Sequence, residues 1–372
     1  MPIRARWSSF RFLLAGAAGL TCAAALAIGL TIWWLHSDAI NVASKDAANL
    51  AVVLAEQTTR SIQSIDLVLS DIQERIEPIG VRAPNDLDGV LRGKDTYEFL
   101  IERLSRLPQA EFIRLVDENG RLVNTTHEWP WSAIDVSYTA HFQHFKNNND
   151  KGVYISDSQV DRIKGIQVVF FSKRINGPND KFLGMVVVGV RVTYFQHIYE
   201  SIASLPDQLF LLLQRDGTVI ARYPDPIVRA GEKLTAGSPW HRLVSQGGGN
   251  YRAPDVFDGE ARLMAVRPLR EYPLVVNVGV TETAALATWR NQAIVLGIGT
   301  LLVMFCVAFL LKAQSKHFSR LAISEAKLVE RAHELKSANA QLRSAQAQTN
   351  ATLDNMLQGL VMFDSSDPNS RQ

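Results

Sequence analysis

Cysteine is almost absent from this chain. Only two of its 372 residues are cysteines, and both, Cys22 and Cys306, lie inside long apolar runs. The region between the runs, residues 36–292, therefore contains no disulfide, although an oxidising compartment would permit one. That region must be stabilised by a hydrophobic core, and it is long enough to form one, which we expect to be divided into two subdomains.

A strong charge of either sign is also absent. The chain carries 39 Lys and Arg against 37 Asp and Glu, which is a formal net charge of +2. Proteins that bind nucleic acids present a strongly basic face. We therefore expect no nucleic-acid partner.

Common catalytic motifs are missing as well. The sequence has no Gly-x-Ser-x-Gly elbow, no His-Glu-x-x-His pair and no Walker A loop. His141 and His144 are spaced to share a helical face, but no third ligand for a zinc site is placed by spacing. We expect no catalytic residue, no metal and no cofactor in this chain.

Two long runs contain no charged side chain, residues 12–35 and residues 293–311. A helix needs roughly 20 apolar residues to cross a bilayer, so each run is predicted to be a transmembrane helix. A cleaved signal peptide is the alternative for the first run. Its length favours an uncleaved anchor, because the apolar part of a signal peptide has only about 7–15 residues.

The charges beside these runs predict how the chain is oriented. Three arginines precede the first run, and Lys312 and Lys316 follow the second. Positively charged flanks stay in the cytoplasm. We therefore predict a multi-pass protein of a bacterial inner membrane, in contact with the lipid bilayer. Residues 1–11 and the C-terminus would be cytoplasmic, and residues 36–292 periplasmic.

The predicted periplasmic region opens with a helical pattern. Apolar residues recur at helical spacing over residues 38–77, and Pro78 is expected to end the helix. The residues on this predicted stripe are Val42, Leu50, Val53, Leu54, Ile62, Ile65, Leu69 and Ile72.

Two pairs of β-hairpins follow, and they suggest an internal repeat. "FIRLVDENGRLV" (112–123) and "LFLLLQRDGTVI" (209–220) each place a polar turn with glycine between two apolar strands. Further hairpins are predicted at 166–190 and 261–280, with the endings "MVVVGV" and "LVVNVGV". Matched hairpins in the same order indicate a duplicated unit. Each unit is expected to be an antiparallel sheet with helices on one side.

This architecture resembles the double Cache extracytoplasmic sensors of bacterial transmembrane receptors, whose tandem units have a PAS-like fold. The resemblance implies an α+β membrane protein with a distal unit at about residues 80–192 and a proximal unit at about 205–282. It implies a small ligand in the distal unit. The family's amino-acid motif, an Arg followed shortly by Trp-Tyr, is absent, so specificity for amino acids is not indicated.

Within the distal unit, residues 124–165 are rich in aromatic residues and histidines. A small-molecule site is usually an apolar cleft with a few convergent polar groups. Arg162 or Lys173 could pair with a ligand carboxylate, and Asp157 with an amine. For each residue taken alone, ordinary core packing or solvation is the competing interpretation. The candidate ligand-binding residues are Trp131, Tyr138, His141, Phe142, Phe145, Tyr154, Asp157, Arg162, Phe171 and Lys173.

After the second apolar run, leucines recur every seven residues at positions 321, 328, 335 and 342. A leucine repeat over several heptads predicts a parallel coiled coil. Residues 312–354 are therefore expected to be a signalling coiled coil that joins two copies of the chain. A single amphipathic helix is the alternative.

Residues 355–372 resemble the opening of a cytoplasmic PAS domain. "QGLVMFD" (358–364) is predicted to contain its first strand, and "SSDPNSRQ" then departs from the family pattern. The expectation is a receptor whose output module is absent from this chain. One alternative is the N-terminal part of a diguanylate cyclase, phosphodiesterase or sensor histidine kinase. A second alternative is a membrane-anchored scaffold that binds another protein.

Overall fold

The computed structural model describes residues 2–82, 87–203, 207–224, 232–235, 237–254 and 259–364. Two compact units are present. One is Ile32–Ala293, which holds both β-sheets, and the other combines Met1–Thr31 with Ile294–Gln372.

Eight α-helices and a short 3-10 turn occur among the described residues. The helices are α1 (Pro2–Arg82), α2 (Leu87–Leu91), α3 (Lys94–Ser105), α4 (Ala140–Asn147), α5 (Val192–Ile202), α6 (Pro239–Ser245), α7 (Glu282–Ala285) and α8 (Ala287–Asp364), with the 3-10 turn at Pro178–Asp180. The first six strands are β1 (Ala110–Asp117), β2 (Leu122–Thr125), β3 (Tyr154–Ile155), β4 (Gln159–Val160), β5 (Gln167–Asn176) and β6 (Phe182–Arg191). The other five are β7 (Leu209–Gln214), β8 (Val219–Tyr223), β9 (Gly249–Pro254), β10 (Ala261–Pro268) and β11 (Leu274–Thr281).

Helix α1 carries the apolar stripe that the sequence predicted. Leu54, Ile65 and Leu69 are fully buried on it. Val42 and Val53, predicted to belong to the same stripe, are exposed. Counted from Leu54 at 100° per residue, Val53 lies about 100° and Val42 about 120° away around the helix. The predicted end of the helix at Pro78 is wrong, since α1 continues to Arg82.

The two predicted antiparallel sheets are confirmed, but the expectation of helices on one side only is wrong, because α1 packs on one face of each sheet and α4 or α6 on the other. The first has the strand order β2-β1-β6-β5-β3, with β4 also paired to β5, and the second has the order β8-β7-β11-β10-β9. We call β1–β6 with their helices the distal unit and β7–β11 with theirs the proximal unit. The shared order agrees with the repeat in the sequence.

Glycine makes the tight turn at the start of each unit. Gly120 has φ +86° and Gly217 has φ +89°, a conformation that glycine adopts without steric cost. The Asp117 carboxylate accepts hydrogen bonds from the backbone N–H groups of Asn119 and Arg121, and these two bonds stabilise the first turn. Both predicted turns are confirmed.

Among the described residues, two helices are long and apolar enough to cross a membrane, within the ranges Ala15–Ile79 and Ala287–His317. The apolar stretch in each is not buried by the rest of the chain. Helix α8 then continues as one helix to Asp364, and Leu328, Leu335 and Leu342 are exposed on it.

The strand predicted at the end of "QGLVMFD" is wrong, because residues 358–364 are helical. A strand needs a neighbour for its backbone N–H and C=O groups, whereas a helix pairs them internally. Within the described part of the chain, no strand lies beside this segment. Residues 365–372 lie outside the described residues.

Candidate functional site

The two faces of the distal sheet contact different partners. Strand β5 alternates, as strands do: Phe171 and Ile175 join the large core that includes α1, whereas Val168 and Phe170 join a separate core with Phe142 of α4. The site described below lies on the α4 side of the sheet.

A cavity of about 110 Å³ lies on that side. Its walls come from β1, β5 and β6, from the start of α4, and from the segments at 134–139 and 159–163. The lining residues are Arg114, Val116, Ile134, Val136, Tyr138, Thr139, His141, Gln159, Val160, Asp161, Arg162, Ile163, Phe170 and Val187.

A buried ion pair forms one wall of the cavity. Arg114 Nη1 and Nη2 donate to the two carboxylate oxygens of Asp161 at 2.7 and 3.0 Å. The backbone N–H of Lys164 also donates to this carboxylate, at 3.0 Å. The guanidinium carbon lies 3.7 Å from the centre of the Phe112 ring. Each oxygen of Asp161 therefore accepts at least one hydrogen bond, and the charges of the pair cancel.

His141 lies in the same wall and is uncharged at neutral pH. It is 4% exposed, and burial together with the nearby Arg114 lowers its pKa to about 4. The Thr139 hydroxyl donates its one proton to Val136 O at 2.7 Å. Its hydrogen bond with His141 Nε2, at 3.3 Å, must therefore be one in which the hydroxyl oxygen accepts. The proton of the neutral ring is thus on Nε2, and Nδ1 is an acceptor.

Two polar atoms of this wall have no partner among the described residues. One is the Nε of Arg114, a donor, and the other is the Nδ1 of His141, an acceptor. A buried polar group without a hydrogen bond costs about 1–3 kcal/mol.

Arg162 and Tyr138 lie at the mouth of the cavity, and both are exposed. The Arg162 guanidinium lies 4.7 Å from the centre of the Tyr138 ring. In the described part of the chain, no carboxylate pairs with Arg162. The mouth therefore carries one positive charge that is not neutralised by a neighbour.

The other sequence-predicted residues lie around the cavity or away from it. Phe142 and Phe145 are fully buried beneath α4, and the Tyr154 ring is 6.5 Å from that of His141. Trp131 lies apart, on a neighbouring open groove, and donates to Leu122 O at 3.1 Å. Asp157 is exposed, and partial burial together with Asp216 raises its pKa.

Phe171 and Lys173 do not belong to the cavity, and the candidate site is corrected accordingly. They lie on the opposite face of β5, where Lys173 forms an ion pair with Asp66 of α1 at 2.6 Å. The sequence prediction grouped residues of β5 by proximity and did not apply the two-residue alternation.

Sequence reasoning missed Arg114 and Asp161. A signal for Arg114 was present, since "FIRLV" places one arginine in an otherwise apolar strand that is buried on both faces. A buried arginine requires a partner. No local pattern identified Asp161, which is 47 residues away.

The place that the cavity occupies in the distal unit is filled in the proximal unit. Trp240 of α6 is fully buried against the equivalent sheet face, with Leu211 and Met264. Its Nε1 donates to Asn277 Oδ1 at 3.0 Å. The two units thus share a strand order but differ in what lies between helix and sheet.

Solved structures that match this fold include sensory domains. The extracellular domain of rpHK1S-Z16, described as a histidine kinase, matches with a TM-score of 0.58 and 27% sequence identity over 67% of this chain and 98% of that one. The periplasmic sensory domain of the Campylobacter jejuni chemoreceptor Tlp1 matches with a TM-score of 0.50 and 12% identity over 65% of this chain and 96% of that one.

No family model and no curated protein sequence matches the chain. The structural matches confirm the resemblance to the Cache-like sensory domains of histidine kinases and chemoreceptors. The region between the apolar helices has the fold of an extracytoplasmic sensory domain.

Proposed function

We propose that this chain is the input part of a bacterial inner-membrane receptor and that it binds a small molecule in the distal cavity. The observation that carries the proposal is the cavity of about 110 Å³ on the α4 side of the distal sheet, whose walls combine apolar side chains with Arg114, His141 and Asp161. A mostly apolar cleft with a few convergent polar groups is the usual form of a small-molecule site.

The proposed location follows from the two apolar helices and their flanking charges. Three arginines precede the first run, and Lys312 and Lys316 follow the second. These positive flanks favour cytoplasmic termini. The two sheets would then lie in the periplasm.

A route for the signal begins on the other side of the ligand-binding sheet. Lys173 of β5 contacts Asp66 and Ser70 of α1. The Tyr272 hydroxyl, between β10 and β11, lies 3.5 Å from the same Asp66 carboxylate. A shift of β5 on ligand binding would thus change its contacts with α1 and, through Asp66, the contact between α1 and the proximal unit.

The proposed receptor acts as a dimer, with two copies of α8 paired through the leucine stripe. Leu328, Leu335 and Leu342 are exposed in one chain, and a second helix would cover them. The ligand shifts the balance between two packings only through its differential affinity for them. Moving a population from 1:99 to 99:1 takes about 5.5 kcal/mol.

Ligand binding is tested on the full chain in detergent micelles, with thermal unfolding followed across a broad metabolite library. A ligand at a hundred times its Kd stabilises the folded state by about 2.7 kcal/mol, which raises Tm by roughly 5–10 °C. Val160→Trp places a large side chain at the exposed edge of the cavity and should abolish the shift. Val90→Trp, on α2 away from the cavity, is the control.

A library that stabilises neither the wild-type chain nor the control would contradict the proposed ligand site. Equal stabilisation of the wild-type chain and Val160→Trp would place the ligand elsewhere.

Dimerisation is tested by disulfide cross-linking in membranes, in a chain with both native cysteines replaced by serine. Leu335→Cys lies on the leucine stripe and should cross-link efficiently. Ser337→Cys lies on the outer side of the predicted coiled coil and should not. Equal yields at the two positions would contradict the coiled coil.

A histidine kinase is the output that the similarity to rpHK1S-Z16 favours among those that the sequence left open. This output predicts ligand-dependent transfer of phosphate from ATP to a histidine in membranes that contain the receptor. Ligand-dependent synthesis of cyclic di-GMP without such labelling would favour the diguanylate cyclase alternative.

A further inference from the structure

An open groove lies beside the distal cavity, at the turn between β1 and β2. Its lining residues are Arg92, Asn119, Arg121, Leu122, Pro130, Trp131, Ala133, Ile134 and Asp135. Of these, Ile134 alone also lines the distal cavity. The groove is therefore a second concave surface of the distal unit, and the proposed receptor function does not use it.

Backbone hydrogen bonds fix the walls of the groove. The Leu122 N–H donates to Ile134 O at 2.9 Å. The Val136 N–H donates to Gly120 O at 2.8 Å. A Cβ on Gly120 would lie 2.5 Å from that of Ser137, so the turn and the segment at 134–137 are in close contact. The groove is thus formed in advance, and a ligand would not have to order it on binding.

The aromatic side chain in the groove is held in place although it is not buried. Trp131 is partly exposed, and its Nε1 donates to Leu122 O at 3.1 Å. Its ring centre lies 5.0 Å from that of Trp129, which in turn lies 5.3 Å from the ring centre of Tyr97. Because the only polar hydrogen of the indole is already bonded, Trp131 offers a ligand the apolar surface of its ring.

The charges of the groove are balanced. Arg92 Nε donates to both carboxylate oxygens of Asp88, at 2.8 and 2.9 Å. Arg121 and Asp135 lie opposite one another at an isolated β-bridge. The pKa of Asp135 is lowered, first by the hydrogen bond from the Ser137 N–H and also by the charge of Arg121. Each arginine thus has a carboxylate beside it, and the groove has no excess charge that would select an anion or a cation.

Donors and acceptors for a neutral ligand remain. Arg92 uses its Nε in the ion pair, and its two Nη groups are further donors. The exposed amide of Asn119 both donates and accepts, and Asp135 accepts. A sugar has the matching chemistry, because its hydroxyl groups both donate and accept, and the C–H groups on one face of its ring pack against an aromatic ring. A small-molecule pocket encloses most of its ligand, whereas an open groove leaves the ends of a chain free.

We propose that this groove binds a neutral oligosaccharide, with one sugar ring against Trp131. The hydroxyl groups of that ring and its neighbours bond to Arg92, Arg121 and Asp135. The site is separate from the distal cavity, so it goes beyond the proposed function and does not depend on a ligand in that cavity.

The test is calorimetric titration of the full chain in micelles of a polyoxyethylene detergent, whose headgroup contains no sugar. The probes are maltotetraose, cellotetraose and tetra-N-acetylchitotetraose, with glucose, tetra-alanine and tripolyphosphate for comparison. At least one tetrasaccharide should bind about tenfold more tightly than glucose, because a chain reaches more of the polar groups. Tetra-alanine, a neutral chain without hydroxyl groups, and the anion tripolyphosphate should bind more weakly than that tetrasaccharide.

Variants of the groove assign the site. Trp131→Ala should weaken the tetrasaccharide at least tenfold, and Trp131→Phe, which keeps a ring, should weaken it less. Arg121→Gln changes an exposed side chain, so folding should be intact, and should weaken binding about threefold or more. Arg60→Gln is the matched control, because Arg60 is exposed on α1 and pairs with Glu56. Its affinity should equal that of the wild-type chain.

The outcomes separate this inference from the proposed function. An unchanged affinity in both Trp131→Ala and Arg121→Gln would place the oligosaccharide elsewhere and overturn the assignment. Failure of all three tetrasaccharides to bind would also overturn it, as would tighter binding of tetra-alanine or tripolyphosphate than of any tetrasaccharide. The thermal shift that Val160→Trp should abolish concerns the distal cavity alone, so either proposal can fail without the other.

Discussion

In the distal unit, Arg114 of β1 pairs in register with Val187 of β6, and in the proximal unit Leu211 of β7 pairs with Asn277 of β11. Gly189 and Gly279 hold the same place in the two sheets. Counting from them, Val187 is equivalent to Asn277, and Arg114 is equivalent to Leu211. The buried polar residue is thus on β1 in the distal unit, whereas in the proximal unit it is on β11, the equivalent of β6. Asn277 in the proximal unit binds the Trp240 side chain, whereas Arg114 binds Asp161 and leaves a cavity.

One strand order can thus either leave a cavity beside the sheet or fill that space with a side chain. Trp240 adds its large ring to the proximal core and is fully buried. The distal unit instead places His141 and an ion pair beside empty space. Because the sheets are alike, a few side chains decide whether this space is empty or filled.

The largest effect is expected from removing the residue that fills the proximal core. Trp240→Ala should lower the free energy of unfolding by about 4–5 kcal/mol, because it leaves a cavity and an unpaired Asn277. Urea unfolding of the full chain in micelles, followed by tryptophan fluorescence and circular dichroism, measures it. Ligand affinity in the distal cavity should not change. A loss below about 1 kcal/mol would show that Trp240 does not support the core.

A slightly smaller effect is expected when Arg114 is replaced by leucine, the residue type that the proximal unit has at the equivalent position, Leu211. Arg114→Leu leaves Asp161 buried without its partner and should cost about 4 kcal/mol. The double variant with Asp161→Leu should recover most of the loss, since an apolar pair can replace a buried ion pair. The same urea experiment compares the two. A double variant as unstable as the single one would contradict the pairing.

The pH dependence of stability tests whether His141, which has no counterpart in the proximal core, is buried and neutral. Its pKa in the folded chain, about 4, is below the ordinary value of 6.5. The unfolded chain therefore binds the proton first, and stability is highest above pH 6.5. As the pH falls from 6.5 to 4, about 3 kcal/mol should be lost.

The measurement is the free energy of unfolding of the wild-type chain minus that of His141→Phe, between pH 7 and pH 4. The charged or titratable groups around the ring are Arg114, Asp161, Arg162 and Tyr154. Their contributions largely cancel in the difference. His144→Phe serves as the control. A difference that does not change with pH would contradict a buried neutral histidine.

The smallest effect is expected from two matched glycines. A Cβ on Gly189 would lie 2.3 Å from the ring of Phe112, whereas one on Gly279 would lie 2.6 Å from Met264 Sδ. A methionine side chain moves more easily than a phenylalanine ring in a packed core. Gly189→Ala should cost about 2–3 kcal/mol and Gly279→Ala about 1 kcal/mol. Equal losses would show that the two sheet centres are packed alike.

Much of the fold was predictable because its signals are local. The apolar stripe of α1, the glycine turns at Gly120 and Gly217, and the duplicated hairpins are each readable within a short window. The strand predicted at 358–364 was wrong, because four apolar residues also fit a helix and no neighbouring strand was there to pair with them.

The candidate site was predictable only in part. The two apolar helices, the repeated antiparallel units and the segment around Tyr138 and His141 could be predicted, since periodicity and composition carry that information. The contact of Arg114 with Asp161 and the direction of Lys173 towards α1 became visible in the folded chain alone. The reason is physical: a cavity is formed by residues far apart in the chain, and the register of β1, β6 and β5 brings them together on one face.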